Sequence, residues 1–308
     1  MRVFPAAVFS NGYMRGQARY RKLNDAEKHV VDTLPQSLES YHYIKTQRYV
    51  DSIREHGLKI LLDSGAFSAH TLGAHIDLNE YVQYILRNED IIERSETGQL
   101  FAVVLDAIDN AQHTYENQKA MERLGVTPIP CYHQGEPEHY LETYVREYEF
   151  IMLGGMVGVA TPQLMRWLDR VWERYLVDGS GAPRCRVHGL GMTSVELMDR
   201  YPWYSVDSSS WIQSASFGSV ITMDMGTLSV SAKSPSRKME RAHVTTLPGI
   251  ERDVVERNLA ESGFDVQRLA DVYEARAVYN LRTFKLWEQR LNARHGSPTF
   301  KAVRQELF

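Results

Sequence analysis

The residues best placed to do chemistry in this chain are carboxylates at the ends of apolar stretches. Asp207 closes Trp203-Tyr204-Ser205-Val206-Asp207 and leads into a run of serines before Trp211, while Asp63 closes Leu58-Lys59-Ile60-Leu61-Leu62-Asp63. A carboxylate where a buried strand gives out stands at the C-terminal rim where α/β barrels keep their chemistry, so Asp207 reads as the reaction centre. Carboxylates grouped on such a rim suit proton transfer or nucleophilic attack. The local alternative is that Asp207 caps a turn or helix begun by the serines, and that Asp63 makes an Asx turn with Ser64 and Gly65.

Further candidates fall at equivalent points. They are Asp106-Ala107-Ile108-Asp109, His133-Gln134-Gly135, Leu153-Gly154-Gly155-Met156 and His188-Gly189-Leu190-Gly191. Together they offer carboxylates, an amide for a polar edge, and paired glycines that let a flat ligand lie against the backbone. Singly, each has a structural use: Asp106 and Asp109 suit a helix cap at Asn110, and Gly154-Gly155 suits a tight turn. Cys131 and His133 point the same way along a strand, as a metal site requires. Cys185 and His188 point opposite ways, and the His-x-His pair of metal-dependent barrel hydrolases is missing, so no metal and no cofactor is expected.

These ends must be positioned by repeated strand-helix units. Val3–Ser10 reads as a first strand and the arginine-rich stretch after it as a loop. Helical content over Tyr41–His56 precedes the strand ending at Asp63, and Leu78–Asn88 is helical. Phe101–Asp106, Thr127–His133, Phe150–Gly155, Arg186–Leu190 and Trp203–Asp207 read as strands. Helices over Asn110–Leu124 and Pro137–Tyr148 lie between them, as does one begun by Thr161-Pro162 whose stripe is Leu164, Trp167, Leu168, Val171 and Tyr175. Thr193 with Glu196 has capping-box spacing, and Ser219–Ser231 can supply an eighth strand. The pattern predicts an α/β fold, a (β/α)8 TIM barrel over residues 1–250, with C-terminal helices over 251–308 packed on it. The long terminal helix, from about Asp265 to Arg294, carries Val266, Leu269, Tyr273, Leu281, Phe284 and Leu291.

Composition narrows the setting. Hydrophobic residues make up 43% and charged residues 24% of 308, an ordinary globular mixture, with no internal repeat or low-complexity segment. No apolar run approaches the roughly 20 residues of a membrane helix. The first apolar stretch breaks at Pro5, and two cysteines fit a reducing compartment, so a cytoplasmic protein without membrane association is expected. A net charge of -4 argues against indiscriminate nucleic-acid binding. Two local clusters could still grip phosphates at chosen points: Arg15, Arg19, Arg21 and Lys22, and Lys233, Arg237, Lys238 and Arg241. A solvated surface is the commoner explanation of either cluster.

The ordered set Leu62-Asp63-Ser64-Gly65-Ala66-Phe67, Gln134-Gly135, Gly154-Gly155-Met156-Val157-Gly158, His188-Gly189-Leu190-Gly191 and the Asp207 strand resembles the barrel motifs of the tRNA-guanine transglycosylases. In style it is most similar to their DNA-acting relatives, the DpdA-type 7-deazaguanine DNA transglycosylases of phages and bacteria. The resemblance covers about Leu58 to Trp211, roughly half the chain. It implies that Asp207 is the nucleophile, that Asp63 handles the base's ring proton and that Asp106 reads the guanine edge. It further implies that Gln134 contacts the incoming base and that Gly154, Gly155 and Met156 form the loop beneath it. Ser64, Gly65, His133 and His188 complete the implied base-binding set.

No cysteine follows Cys185, so the zinc site that the tRNA enzymes carry after the barrel is missing, and the serines and tryptophan beside Asp207 also differ from their pattern. The resemblance therefore implies guanine exchange in DNA for a free 7-deazaguanine base such as 7-cyano-7-deazaguanine, through a covalent aspartyl-sugar intermediate. The tRNA reaction and a non-catalytic nucleic-acid-binding subunit are the alternatives, and a homodimer is compatible with either. Base-edge hydrogen bonds and stacking must offset the few kcal/mol of unstacking, with Tyr132, Met156, Trp203 and Trp211 as stacking candidates or plain core.

Overall fold

In a computed structural model, residues 1–192 and 194–296 are described, and the chain divides into two compact units. The first comprises Met1–Ser10, Gln36–Ser208 and residues from Leu291; the second comprises Asn11–Pro35 and Ser209–Arg290. The fold is mixed α/β with a central parallel sheet, and no helix among the described residues is long and apolar enough to cross a membrane.

Among the described residues the first unit holds seven strands: β1 (Arg2–Pro5), β2 (Ser37–Ser40), β3 (Ile60–Asp63), β4 (Cys131–His133), β5 (Phe150–Gly154), β6 (Arg186–Gly189) and β7 (Ser205–Ser208). Five of them form a parallel sheet in the order β1-β7-β6-β5-β4, and β2 pairs with β3 in parallel. Single parallel bridges join Ala6 to Leu38, Leu62 to Ala102 and Val103 to Ile129. Ile60–Leu62 and Phe150–Leu153 are wholly buried, as strands covered on both faces must be, which is why each reads as an unbroken apolar run. Helices Gln47–His56, Leu78–Arg87, Ala111–Arg123, Glu138–Glu147 and Thr161–Val171 lie between successive strands.

Several expectations are corrected. Ser219–Ser231 does not join the parallel sheet: β8 (Ser219–Thr222) and β9 (Gly226–Ser229) form an antiparallel hairpin in the second unit, turned at Gly226 with φ +68°. The missing parallel partner is β2, four residues whose Glu39 is buried and therefore carries no apolar signal. Phe101–Asp106 forms no continuous strand among the described residues; bridges at Ala102 and Val103 join it to its parallel neighbours. β1 ends at Pro5 rather than Ser10 because Ala7 turns to φ +68° and the buried Glu39 carboxylate takes the Phe9 and Ser10 N–H groups, at 2.7 and 3.3 Å.

The stretch expected as an N-terminal loop holds a helix, Asp25–Asp32, begun by a full capping box of Asn24 and Glu27. The helix begins at Thr161 itself, after Ala160, which makes no side-chain cap bond; Pro162 is in its first turn, and the expected stripe is buried throughout. Thr193 lies outside the described residues; Ser194 caps the helix Val195–Arg200 through Leu197 N–H. The terminal helix is broken at Val272 into Val266–Asp271 and Tyr273–His295. Asn280 and Arg276 on the second piece bond Ile221 N–H and the Trp211 and Ala215 carbonyls, fixing the hairpin and the helix Ser210–Ser216 within that unit.

Candidate active site

Register builds the site at β7. His188 on β6 lies opposite Ser205, so its ring spans Ser205 and Asp207, two residues on and facing the same way. His188 is fully buried; Nδ1 is 2.7 Å from Ser205 Oγ and Nε2 is 3.1 Å from Asp207 Oδ1. Gly191 N–H donates to the same Oδ1 at 3.0 Å. Oδ2 thus has no hydrogen bond among the described residues. With Asp207 ionised, Nε2–H donates to it and the Ser205 hydroxyl donates to Nδ1, which satisfies both ring nitrogens. The Phe4 ring, on the strand paired with Asp207, meets the imidazole edge-on at 6.1 Å and closes the apolar wall. Asp207 does not cap the following helix, whose N-cap, Ser209, makes no side-chain cap bond.

Asp63 makes the Asx turn, its Oδ2 accepting Gly65 N–H at 2.9 Å. It also takes part in the site's charge. Burial, then the nearby Asp207 and Asp106 carboxylates, lift its carboxyl to about 7, against the Gly65 N–H, which lowers it. Gly65 is at φ +79°, and a Cβ there would meet His42 Cβ at 2.6 Å, so the turn requires glycine. Ser64 is buried beneath it, with Ala66 N–H reaching its Oγ at 3.4 Å.

Asp106 is released from capping because Asn110 caps Ala111–Arg123 itself, through His113 N–H. Its Oδ1 accepts from Thr114 Oγ1 at 3.3 Å and its Oδ2 lies 3.1 Å from His133 Nε2. Glu136 holds the other side of that ring: Oε1 is 3.4 Å from Nδ1, and Oε2 accepts the His133 N–H at 2.9 Å. The Cys131 sulfur beside it, with the Asp106 and Glu136 carboxylates, holds the imidazole above the usual histidine range against its burial. Burial pushes the Cys131 thiol up to about 12. Asp106, Cys131 and His133 bring one ligand atom each to within 4.8 Å of one another, a convergence that sequence spacing could not show because Asp106 comes from a different strand end.

The glycines have a job of their own in this geometry. Gly154 lies opposite His133, and a Cβ on it would stand 2.5 Å from His133 Cδ2 and 3.3 Å from Cys131 Sγ. Gly155, at φ +74°, sits against Gln134 N. Their missing side chains make room for β4. The Gln134 side chain makes no hydrogen bond among the described residues, and Met156 is buried. Trp203 is core: it donates to the Leu197 carbonyl and packs edge-on against Trp172. Trp211 is fully buried against Tyr13, and Tyr132 is buried with its hydroxyl on the Glu136 carbonyl.

The expected phosphate contacts belong to the second unit, and most have partners. Arg15 pairs with Asp32, Lys22 with Glu274 and Arg241 with Glu251; Arg21 donates to the Gly16 carbonyl, and Arg19 lies over the Tyr13 and Tyr273 rings. Lys233, Arg237 and Lys238 are exposed and make no ion pair among the described residues. Comparison with protein-family models and with curated proteins gives no match to this chain.

Proposed function

We propose that this chain is a base-exchange transglycosylase that replaces guanine in DNA with a free 7-deazaguanine, through a covalent intermediate on Asp207. The observation that carries the reading is the one-sided bonding of Asp207, held by His188 and Gly191 on Oδ1 with Oδ2 unbonded, beside an Asp63 carboxyl lifted to about 7. A nucleophile held this way is oriented without being blocked, and an acid near 7 can both give and take a proton at neutral pH.

In the reaction so read, Asp207 Oδ2 attacks the sugar anomeric carbon, the glycosidic bond breaks, and guanine leaves with the Asp63 proton. The 7-deazaguanine then loses its ring proton to Asp63 and attacks the same carbon, displacing Asp207. Two inversions give net retention, the logic of a retaining glycosidase. Asp106 and Gln134 are the groups read as meeting the base edge, and Lys233, Arg237 and Lys238 are the exposed cations for phosphates.

The same reading takes the first unit as a (β/α)8 barrel. Supporting it, parallel pairings run from β1 through Ala6–Leu38 to β2 and β3, on by Leu62–Ala102 and Val103–Ile129 toward β4, then through β5, β6 and β7 back to β1.

The test is incubation with guanine-containing DNA and, separately, unmodified tRNA, each with labelled 7-cyano-7-deazaguanine, using wild type and Asp207→Ala. Label entering DNA and lost in the variant is the expected result. Label entering only tRNA overturns the choice of polymer; label entering neither overturns the activity.

A further inference from the structure

We propose that Asp106, Cys131 and His133 form a binding site for a divalent transition metal ion of the zinc class, with an open fourth position. Three ligand types that suit such an ion, a thiolate, an imidazole nitrogen and a carboxylate oxygen, meet at one point. Asp106 Oδ2 lies 3.1 Å and Cys131 Sγ 3.6 Å from the same nitrogen, His133 Nε2. Metal–ligand bonds of about 2.0–2.3 Å imply tetrahedral edges of roughly 3.3–3.7 Å, so the set needs only small side-chain movements to close on an ion.

The surroundings are built as they are around metal ligands. Glu136 faces His133 Nδ1 at 3.4 Å, and its second oxygen is pinned by the His133 N–H, so Nδ1–H is held and Nε2 is the coordinating nitrogen. Thr114 orients the Asp106 carboxylate from its other oxygen. The absence of a Cβ at Gly154 is what lets the imidazole and the thiol share this space. Cys131 is inaccessible, but the His133 and Asp106 side chains are 27% and 13% exposed, which leaves a route in for an ion. Binding exchanges protons for metal: the thiol proton and the Nε2 proton leave to solvent as the ion takes their places.

The inference stands apart from the base-exchange reading, and because it commits Asp106 Oδ2 to the ion, metal loading and base reading by Asp106 compete. The experiment is done on the chelator-stripped full chain with no nucleic acid or base present, by equilibrium dialysis against Zn²⁺ and by titration with Co²⁺. One bound ion per chain is expected, with a thiolate-to-cobalt charge-transfer band. Cys131→Ser should lose the band, whereas Cys185→Ser, which alters the only other cysteine, should keep it. Glu136→Gln leaves all three ligands in place and should weaken binding by about 10–100-fold. Circular dichroism of each variant excludes loss of fold as the cause. No stoichiometric ion, or a band that survives Cys131→Ser, overturns the site and leaves a half-buried histidine–carboxylate pair.

Discussion

His188 Nε2 lies 3.1 Å from Asp207 Oδ1 while the opposite ring nitrogen lies 2.7 Å from Ser205 Oγ, so one buried imidazole joins two residues of the same strand. The arrangement follows from register: His188 faces Ser205 across β6 and β7, and Asp207 comes two residues later on the same face. It fixes which carboxylate oxygen is engaged and leaves Oδ2 without a hydrogen bond among the described residues.

Replacing the imidazole should therefore affect rate more than binding. His188→Ala frees Asp207 to rotate, and a misplacement of about 1 Å is worth about 10²-fold in rate. The expected result is a drop of that order in kcat for label incorporation, with KM for the nucleic acid nearly unchanged. Ser205→Ala, which leaves the ring in place, should give a smaller drop. A KM-dominated effect in His188→Ala would assign the histidine to substrate binding instead.

Asp63 sets a pH dependence with a definite sign. Its carboxyl is at about 7 in the folded chain against 3.8 ordinarily, so between those values the folded state holds a proton that the unfolded state lacks. Stability then falls as pH rises from about 4 to 7, and the charged form is carried at a loss above that. Asp63→Asn should raise stability at pH 8 by on the order of 2–4 kcal/mol, change it little at pH 4, and abolish base exchange at both. Urea midpoints at the two pH values test the difference.

Gly65 connects the fold to that carboxyl. Its N–H donates to Asp63 Oδ2, its φ is +79°, and a side chain there runs into Ser40 and His42 at the end of β2. Gly65→Ala combines left-handed strain with overpacking and should cost about 2–4 kcal/mol. Exchange activity should fall further than the loss of folded protein explains, since the turn that aims Asp63 is displaced. Equal losses of activity and of folded fraction would make Gly65 purely structural.

What the sequence discloses here follows physical visibility. β3 and β5 are unbroken apolar runs because both faces are covered, and the carboxylate or glycine at each end is therefore easy to place. β2 is hidden because its third position is a buried glutamate flanked by serine, and the hairpin of β8 and β9 has the alternation of a strand without the parallel neighbours that a barrel strand needs. Pairwise geometry is invisible for a different reason. That His188 reaches Ser205, that Gly154 makes room for His133 and that Asp106 arrives beside Cys131 all depend on which strand lies next to which, and in what register. The Asn24 to Glu27 capping box was legible, and it marks a helix inside a stretch whose arginines suggest only a loop.

Glu39, the residue that hides β2, gives the last prediction. It is fully buried, and its carboxylate accepts Phe9 N–H at 2.7 Å and Ser37 Oγ–H at 3.0 Å on Oε1 and Ser10 N–H at 3.3 Å on Oε2, with the Ser10 side chain bonded to it as well. Burial nonetheless lifts its carboxyl to about 7, so near neutrality charge is not what makes it useful. Its use is as an acceptor for backbone donors that leave β1 without a ladder partner. Glu39→Gln can present its amide oxygen to Phe9 and Ser37, giving up the longer Ser10 N–H bond and removing a buried charge, and should stay within about 1 kcal/mol of wild type at pH 8. Glu39→Ala leaves the buried Phe9 N–H unsatisfied and opens a void, and should cost about 3 kcal/mol or more. Urea denaturation of both variants distinguishes the roles: a Gln variant as unstable as the Ala variant would mean that the charge, not the acceptor, holds the β1 turn against β2.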